Sequence, residues 1–176
     1  MGGSTTIDFG KIKRSRLHAE QAALLLPQQR GVTVTCRQPE AVALQQSGGE
    51  VQDDSAAIRQ LGLTPATSRG LGLAGTKPLG AFVLRWRQDT ATLDGTPVRL
   101  IVSSDGGAVW RDFDAATNSD ATDLIAWARD GQMRPASGRV MTLGIQIEAA
   151  IAPLSTLSLG QEAALTGTVS LLVIPQ

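Results

Sequence analysis

The chain has 176 residues, balances 16 lysines and arginines against 16 aspartates and glutamates, and contains one cysteine and one histidine. That length suits one domain with a sizeable core. The even charge points to neither a nucleic-acid nor an anionic-membrane partner, and one Cys with one His excludes zinc ribbons, Cys/His metal clusters and an internal disulfide.

Nineteen Gly and eight Pro, set among many Thr, Val, Ala and Leu, fit an all-β protein with frequent turns. No stretch approaches the roughly 18–20 apolar residues of a transmembrane helix, and no signal-peptide pattern opens the chain. Thr5–Gly10 alternates, with Ile7 and Phe9 on one parity, and predicts a short strand. Ser15–Leu26 is rich in helix formers and predicts a helical turn or two, ended by Pro27. Arg30–Cys36 predicts a strand with Val32, Val34 and Cys36 on one face, and Glu40–Leu44 a second that pairs with it as a hairpin. Gln46–Ser55 is polar and Gly-rich, a surface loop.

Gly80–Arg87 predicts a strand with Phe82, Leu84 and Trp86 on one parity. Asp94-Gly95 is a hairpin-turn signal, Pro97–Val102 a strand, and Ser103–Gly107 a tight turn before the return of Ala108–Phe113. Asp123–Arg129 fits strand or helix, with strand preferred, and Val140–Ile151 is a long strand with Leu143, Ile145 and Ile147 inward. The final stretch, Gln161–Gln176, is the most informative. Leu165, Val169, Leu171 and Val173 share one parity with Gly167, while Thr166, Thr168 and Ser170 take the other. A period of two over this length is a half-buried strand. Because it ends in the apolar run Leu171–Ile174, it is expected to pair in mid-sheet or to offer an uncovered edge to another chain. Short strands at turn spacing, without βαβ alternation, predict a β-sandwich.

Few residues look chemical. Ser103-x-Asp105-x-Gly107-x-x-Trp110 nearly matches the Asp-box of sialidase-like propellers, with Val109 in place of its Thr. In such a turn the Asp accepts backbone N–H bonds and the Trp packs beneath, so the reading is a structural hairpin. A sialidase needs a Tyr nucleophile, and the chain has no Tyr. His18 reads as a lone surface histidine, and Asp53-Asp54 as a solvated loop without a calcium pattern. Leu71–Gly75 lacks the Lys-Ser/Thr of a P-loop. No catalytic, metal or cofactor site is expected, so the protein is read as a non-enzyme. Trp86 and Trp110 read as packing residues, which leaves Trp127 as the candidate platform for a saccharide. Cys36, inward on a strong strand, reads as a small buried hydrophobe in a reducing compartment and as an unpaired disulfide half in a secreted sandwich.

Several segments, in order, resemble a fimbrial-subunit-like family found with the chaperone–usher pili of Gram-negative bacteria. Thr6–Ile12 (TIDFGKI) is similar to its I-D-Y/F-G-x-I opening. Leu26-Pro27 with Val32–Cys36 is similar to its L-P … L-x-I-x-C stretch. Leu71–Leu73 and Leu79–Leu84 look like its F-G-L-G … I-G-A-Y-x-L segment. Asp94–Val98 with Ser104–Trp110 resembles its D-G-x-x-V … S-D-N-G-x-x-W hairpin. Ala150–Pro153, Leu157–Leu159 and Glu162–Gly167 are similar to its close. The resemblance implies one immunoglobulin-like, pilin-type sandwich over 1–176 that lacks its last strand. Leu165, Gly167, Val169, Leu171 and Val173 would line the groove filled first by a periplasmic chaperone and then by a neighbouring subunit's donor strand. It implies assembly through an outer-membrane usher into an extracellular fimbrium, with other pilus subunits as partners and a host or surface glycan as a further one. It also implies a donor segment, and a cysteine to pair with Cys36, ahead of the present opening. A secreted carbohydrate-binding adhesin module is the alternative.

Overall fold

The computed structural model describes residues 2–49, 56–74, 76–115, 122–157 and 162–176. Among these the chain is mostly strand. In order the strands are β1 Gly2–Lys13, β2 Ala23–Leu24, β3 Gln28–Glu40, β4 Val42–Ser47, β5 Arg69–Gly70, β6 Leu73–Ala74 and β7 Lys77–Pro78. Then follow β8 Gly80–Leu93, β9 Thr96–Pro97, β10 Arg99–Ser103, β11 Arg111–Asp112, β12 Leu124–Ala128, β13 Gly138–Ile151 and β14 Glu162–Pro175. One short helix, α1 Ala56–Gln60, interrupts them.

The strands form two principal sheets. The first runs β1-β14-β4-β12-β10-β11. The second is built on β13, with β8 on one side and β2 and β3 on the other; β5 and β9 extend it beyond β8. Between the sheets lies one apolar cluster. Leu44, Val102, Ile125, Trp127, Leu165 and Val169 come to it from the first sheet, and Phe82, Leu84, Trp86, Leu143, Ile145 and Ile147 from the second. Alternation along each strand decides this: β13 buries Met141, Leu143, Ile145 and Ile147 and turns Thr142, Gly144, Gln146 and Glu148 outward. Part of each outer face is also covered. Ala57 and Ile58 of α1 pack on Ala81, Val83 and Ala150, and Trp110 and Ile174 pack on Ala43, Ile101 and Ala126.

The Asp94-Gly95 signal forms the two-residue turn between β8 and β9, with φ of 50° and 79°. Positive φ at both central residues is what a type I′ turn requires. The Asp94 carboxylate also accepts from the backbone N–H groups of Arg139 and Val140, at 2.9 and 2.8 Å. Those two bonds, Val140's first, hold its pKa below the ordinary carboxylate value.

Three expectations need correction. Arg30–Cys36 and Glu40–Leu44 do not form a hairpin: β3 pairs with β13 and β4 with β14 and β12, so the chain changes sheets at Ala41. Pro39 sits where the β3–β13 register slips, a place where its missing N–H costs no ladder bond. Ser15–Leu26 forms a single 3-10 turn, Arg14–Arg16, and then the strand β2, because its backbone is drawn onto β13; Leu25 N donates to Ala149 O at 2.9 Å. Finally, of the two expectations for β14, pairing in mid-sheet holds and the uncovered edge does not. The chain's own β1 lies antiparallel beside it, so within this chain the place expected to need a donor strand is taken by Gly2–Lys13.

Candidate functional site

The inward parity of β14 falls where its alternation requires. Leu165, Val169 and Leu171 are buried, and Val173 is half-buried against the same core. Gly167 makes room for an aromatic ring: a Cβ there would stand 2.4 Å from Cε1 of Phe82 on the facing sheet. All five residues proposed as groove lining therefore point at the second sheet. In this chain they line the sandwich interior, not an open cleft.

The two edges of β14 are held differently. On one side Ser170–Pro175 pairs in unbroken register with Val42–Ser47. On the other, β1 pairs with Glu162–Ala164 and with Thr166–Leu172, and its register breaks between Asp8 and Lys11. Gly10 lies in the break with φ of 74°, the left-handed backbone that a glycine-type bulge uses. Among the described residues, only Ser170, Leu171 and Leu172 are paired on both sides. A cavity of about 410 Å³ opens beside the break, between Phe9 and Lys11 of the first sheet and Leu24, Leu25 and Leu26 leading into the second, with Leu165 among its lining. Leu24 and Leu26 are 59% and 88% exposed there. Reading Ser15–Leu26 as helix hid this seam; the signal was the run Leu24–Pro27, which has no polar face to turn to solvent.

The other singled-out residues disperse. Ser103, Asp105, Gly107 and Trp110 do build a turn. Ser103 Oγ donates to Asp105 Oδ1 at 2.7 Å and accepts from Gly107 N at 2.9 Å, and Val109 N donates to Asp105 Oδ1 at 2.9 Å. The bond from Val109, then that from Ser103, lowers the Asp105 pKa. All these contacts are internal, so the turn is structural. Trp127 as a saccharide platform is corrected. It is 1% exposed, and its Nε1 donates to Thr142 O at 2.9 Å, linking the two sheets. An indole locked between sheets offers no face to a ligand.

Cys36 is half-buried and packs at the margin of the core with Val32 and Val34. Burial first, and Glu40 second, raise its thiol pKa, which disfavours the reactive thiolate. His18 is exposed, and its carbonyl accepts from Leu154 N at 3.0 Å. Asp53 and Asp54 lie outside the described residues. Among the described residues no helix is long and apolar enough to cross a membrane. Comparison of the chain with protein-family models, curated proteins and solved structures finds no match.

Proposed function

We propose that this protein is a structural subunit of a chaperone–usher-type fimbria, joined to its neighbour by a strand added alongside β14. The observation that carries the reading is the asymmetry of that strand. Its inner face is committed to the core, its β4 edge is paired in unbroken register over Ser170–Pro175, and its other edge is held by β1, whose register breaks between Asp8 and Lys11. Strand addition needs such an edge: backbone hydrogen bonds supply affinity, and alternate side chains fix register.

The sheet order supports it. In an immunoglobulin-like sandwich the B, E and D strands share one sheet and C, F and G the other. Taking β3, β13 and β8 as B, E and D, and β4 and β14 as C and F, gives β1 the position of the last strand, G. In this reading the chain's own N-terminal segment covers β14 in the isolated subunit. A chaperone strand, and then a strand from the next subunit at an outer-membrane usher, takes that place during assembly.

A fluorescent peptide copying residues 2–13 tests the exchange. Incubated with the full chain below its melting temperature, it should enter the folded protein and co-elute with it, displacing β1. A peptide that never enters the folded chain would mean that the β1–β14 pair is permanent, and the strand-addition reading would fall.

A further inference from the structure

The outer face of the second sheet carries a feature that neither the core nor strand addition explains. On β3, β13 and β8 three rows of residues lie side by side. Gln29, Gln146 and Arg85 form one, Gly31, Gly144 and Arg87 the next, and Thr33, Thr142 and Thr92 the third. The middle row lacks two side chains, so a trough of about 430 Å³ crosses the strands, within the range of small-ligand sites.

The two glycines have different reasons to be there. Gly144 accommodates the irregular stretch of β8: its N–H donates to Thr90 Oγ1 at 2.7 Å, and a Cβ would stand 3.0 Å from that oxygen. Gly31 has no such reason. A Cβ there would meet nothing within 4 Å, and its backbone is ordinary strand. Glycine inside a strand costs stability, and it often marks a place where another molecule approaches the backbone closely.

The rim indicates what could approach. The Gln29 amide and the Thr33 hydroxyl can both donate and accept hydrogen bonds, as sugar hydroxyls do, while the Thr90 hydroxyl donates to Arg87 O and accepts from Gly144 N, and the Thr142 hydroxyl is bonded to that of Thr92. The charges are partly spent. Arg87 forks onto Asp89 at 3.0 and 2.7 Å and Arg85 meets Glu148 at 2.6 Å, while Arg30, bonded to the neutral Gln29 O and Gln28 Oε1, keeps its charge at the rim. A bare peptide floor inside a polar rim with one uncompensated cation suits a ring with an apolar face and a hydroxylated edge, whose hydroxyls the guanidinium can also meet. We infer that the trough over Gly31 and Gly144 binds an uncharged saccharide.

The test is a panel of immobilised oligosaccharides, neutral, sialylated and sulfated, probed with the full chain and with Gly31→Val and Thr33→Val. A neutral glycan should be captured. Gly31→Val, which fills the trough with a good strand former, should abolish capture without lowering the melting temperature. Thr33→Val, which removes one hydroxyl from an exposed position, should weaken capture about three- to tenfold. Capture of acidic glycans alone would assign the effect to charge and overturn the inference. So would no capture at all, or full capture by Gly31→Val. The isolated chain suffices, so the result is independent of strand addition.

Discussion

β13 and β14 are each 14 residues long and close in sequence, with buried alternate faces on the same core. Yet among the described residues β13 has neighbours on both sides at Met141, Thr142, Gly144–Ile147, Ala150 and Ile151, whereas β14 has them only at Ser170, Leu171 and Leu172. Side-chain burial and backbone pairing are thus separate commitments. β13 makes both and acts as the spine of the sandwich. β14 buries alternate side chains in that core, and its two edges are paired over different stretches, with β1 at Glu162–Ala164 and Thr166–Leu172 and with β4 at Ser170–Pro175. On the proposed reading, the difference would let one strand hold the fold while its neighbour in sequence exchanges its partner strand.

The largest predicted effects come from the core, where the two strands should behave alike. Ile147→Ala on β13 leaves a cavity at a fully buried position and should cost about 2–5 kcal/mol. Gly167→Ala on β14 drives a methyl into Phe82 and should cost about 1–3 kcal/mol by overpacking. Both should appear as a lower denaturant midpoint for the whole domain. If Gly167→Ala were neutral, β14 would not be held against Phe82 as the structure has it, and the separation of the two commitments would be lost.

Much of this was legible in the sequence. The period-two runs of β8, β13 and β14 named the inward residues correctly, because one buried face imposes alternation whatever the partner strand. Asp94-Gly95 gave its turn from two residues whose backbone preferences demand it. Pairing partners were less legible. Arg30–Cys36 and Glu40–Leu44 read as a hairpin because adjacency is the only pairing signal a short interval offers, and nothing local says that the chain crosses to the other sheet at Ala41. Trp127 could not be placed because strand and helix patterns both fit Asp123–Arg129. The neighbour of β14 was missed for a similar reason: Thr5–Gly10 gave a strand, but antiparallel pairing across about 160 residues leaves no local trace. Gly31 was visible as a glycine in a strong strand, yet only the structure shows that no packing demands it.

A smaller effect is expected from acid. The Asp94 carboxylate pins the β8–β9 turn to Arg139 and Val140 at the start of β13, and Asp105 holds the turn after β10. Both have pKa values below the ordinary carboxylate range. The unfolded chain therefore takes up protons more readily than the folded one. This contribution to stability is fully present above about pH 4 and is lost as the pH falls through the lowered values. The melting temperature should decline below that point, less steeply in Asp94→Asn, whose amide cannot ionise. Equal slopes would remove Asp94 from the anchoring of β13.

Native-state hydrogen exchange tests the central claim most directly. If β14 is an assembly strand with an exchangeable neighbour, the hydrogen-bonded amides of β1 should exchange by local opening, with free energies well below those of β13, whose amides should wait for global unfolding. If β1 and β13 instead exchange with the same free energy and the same denaturant dependence, the seam opens only when the whole domain unfolds. Strand addition at β14 would then be contradicted.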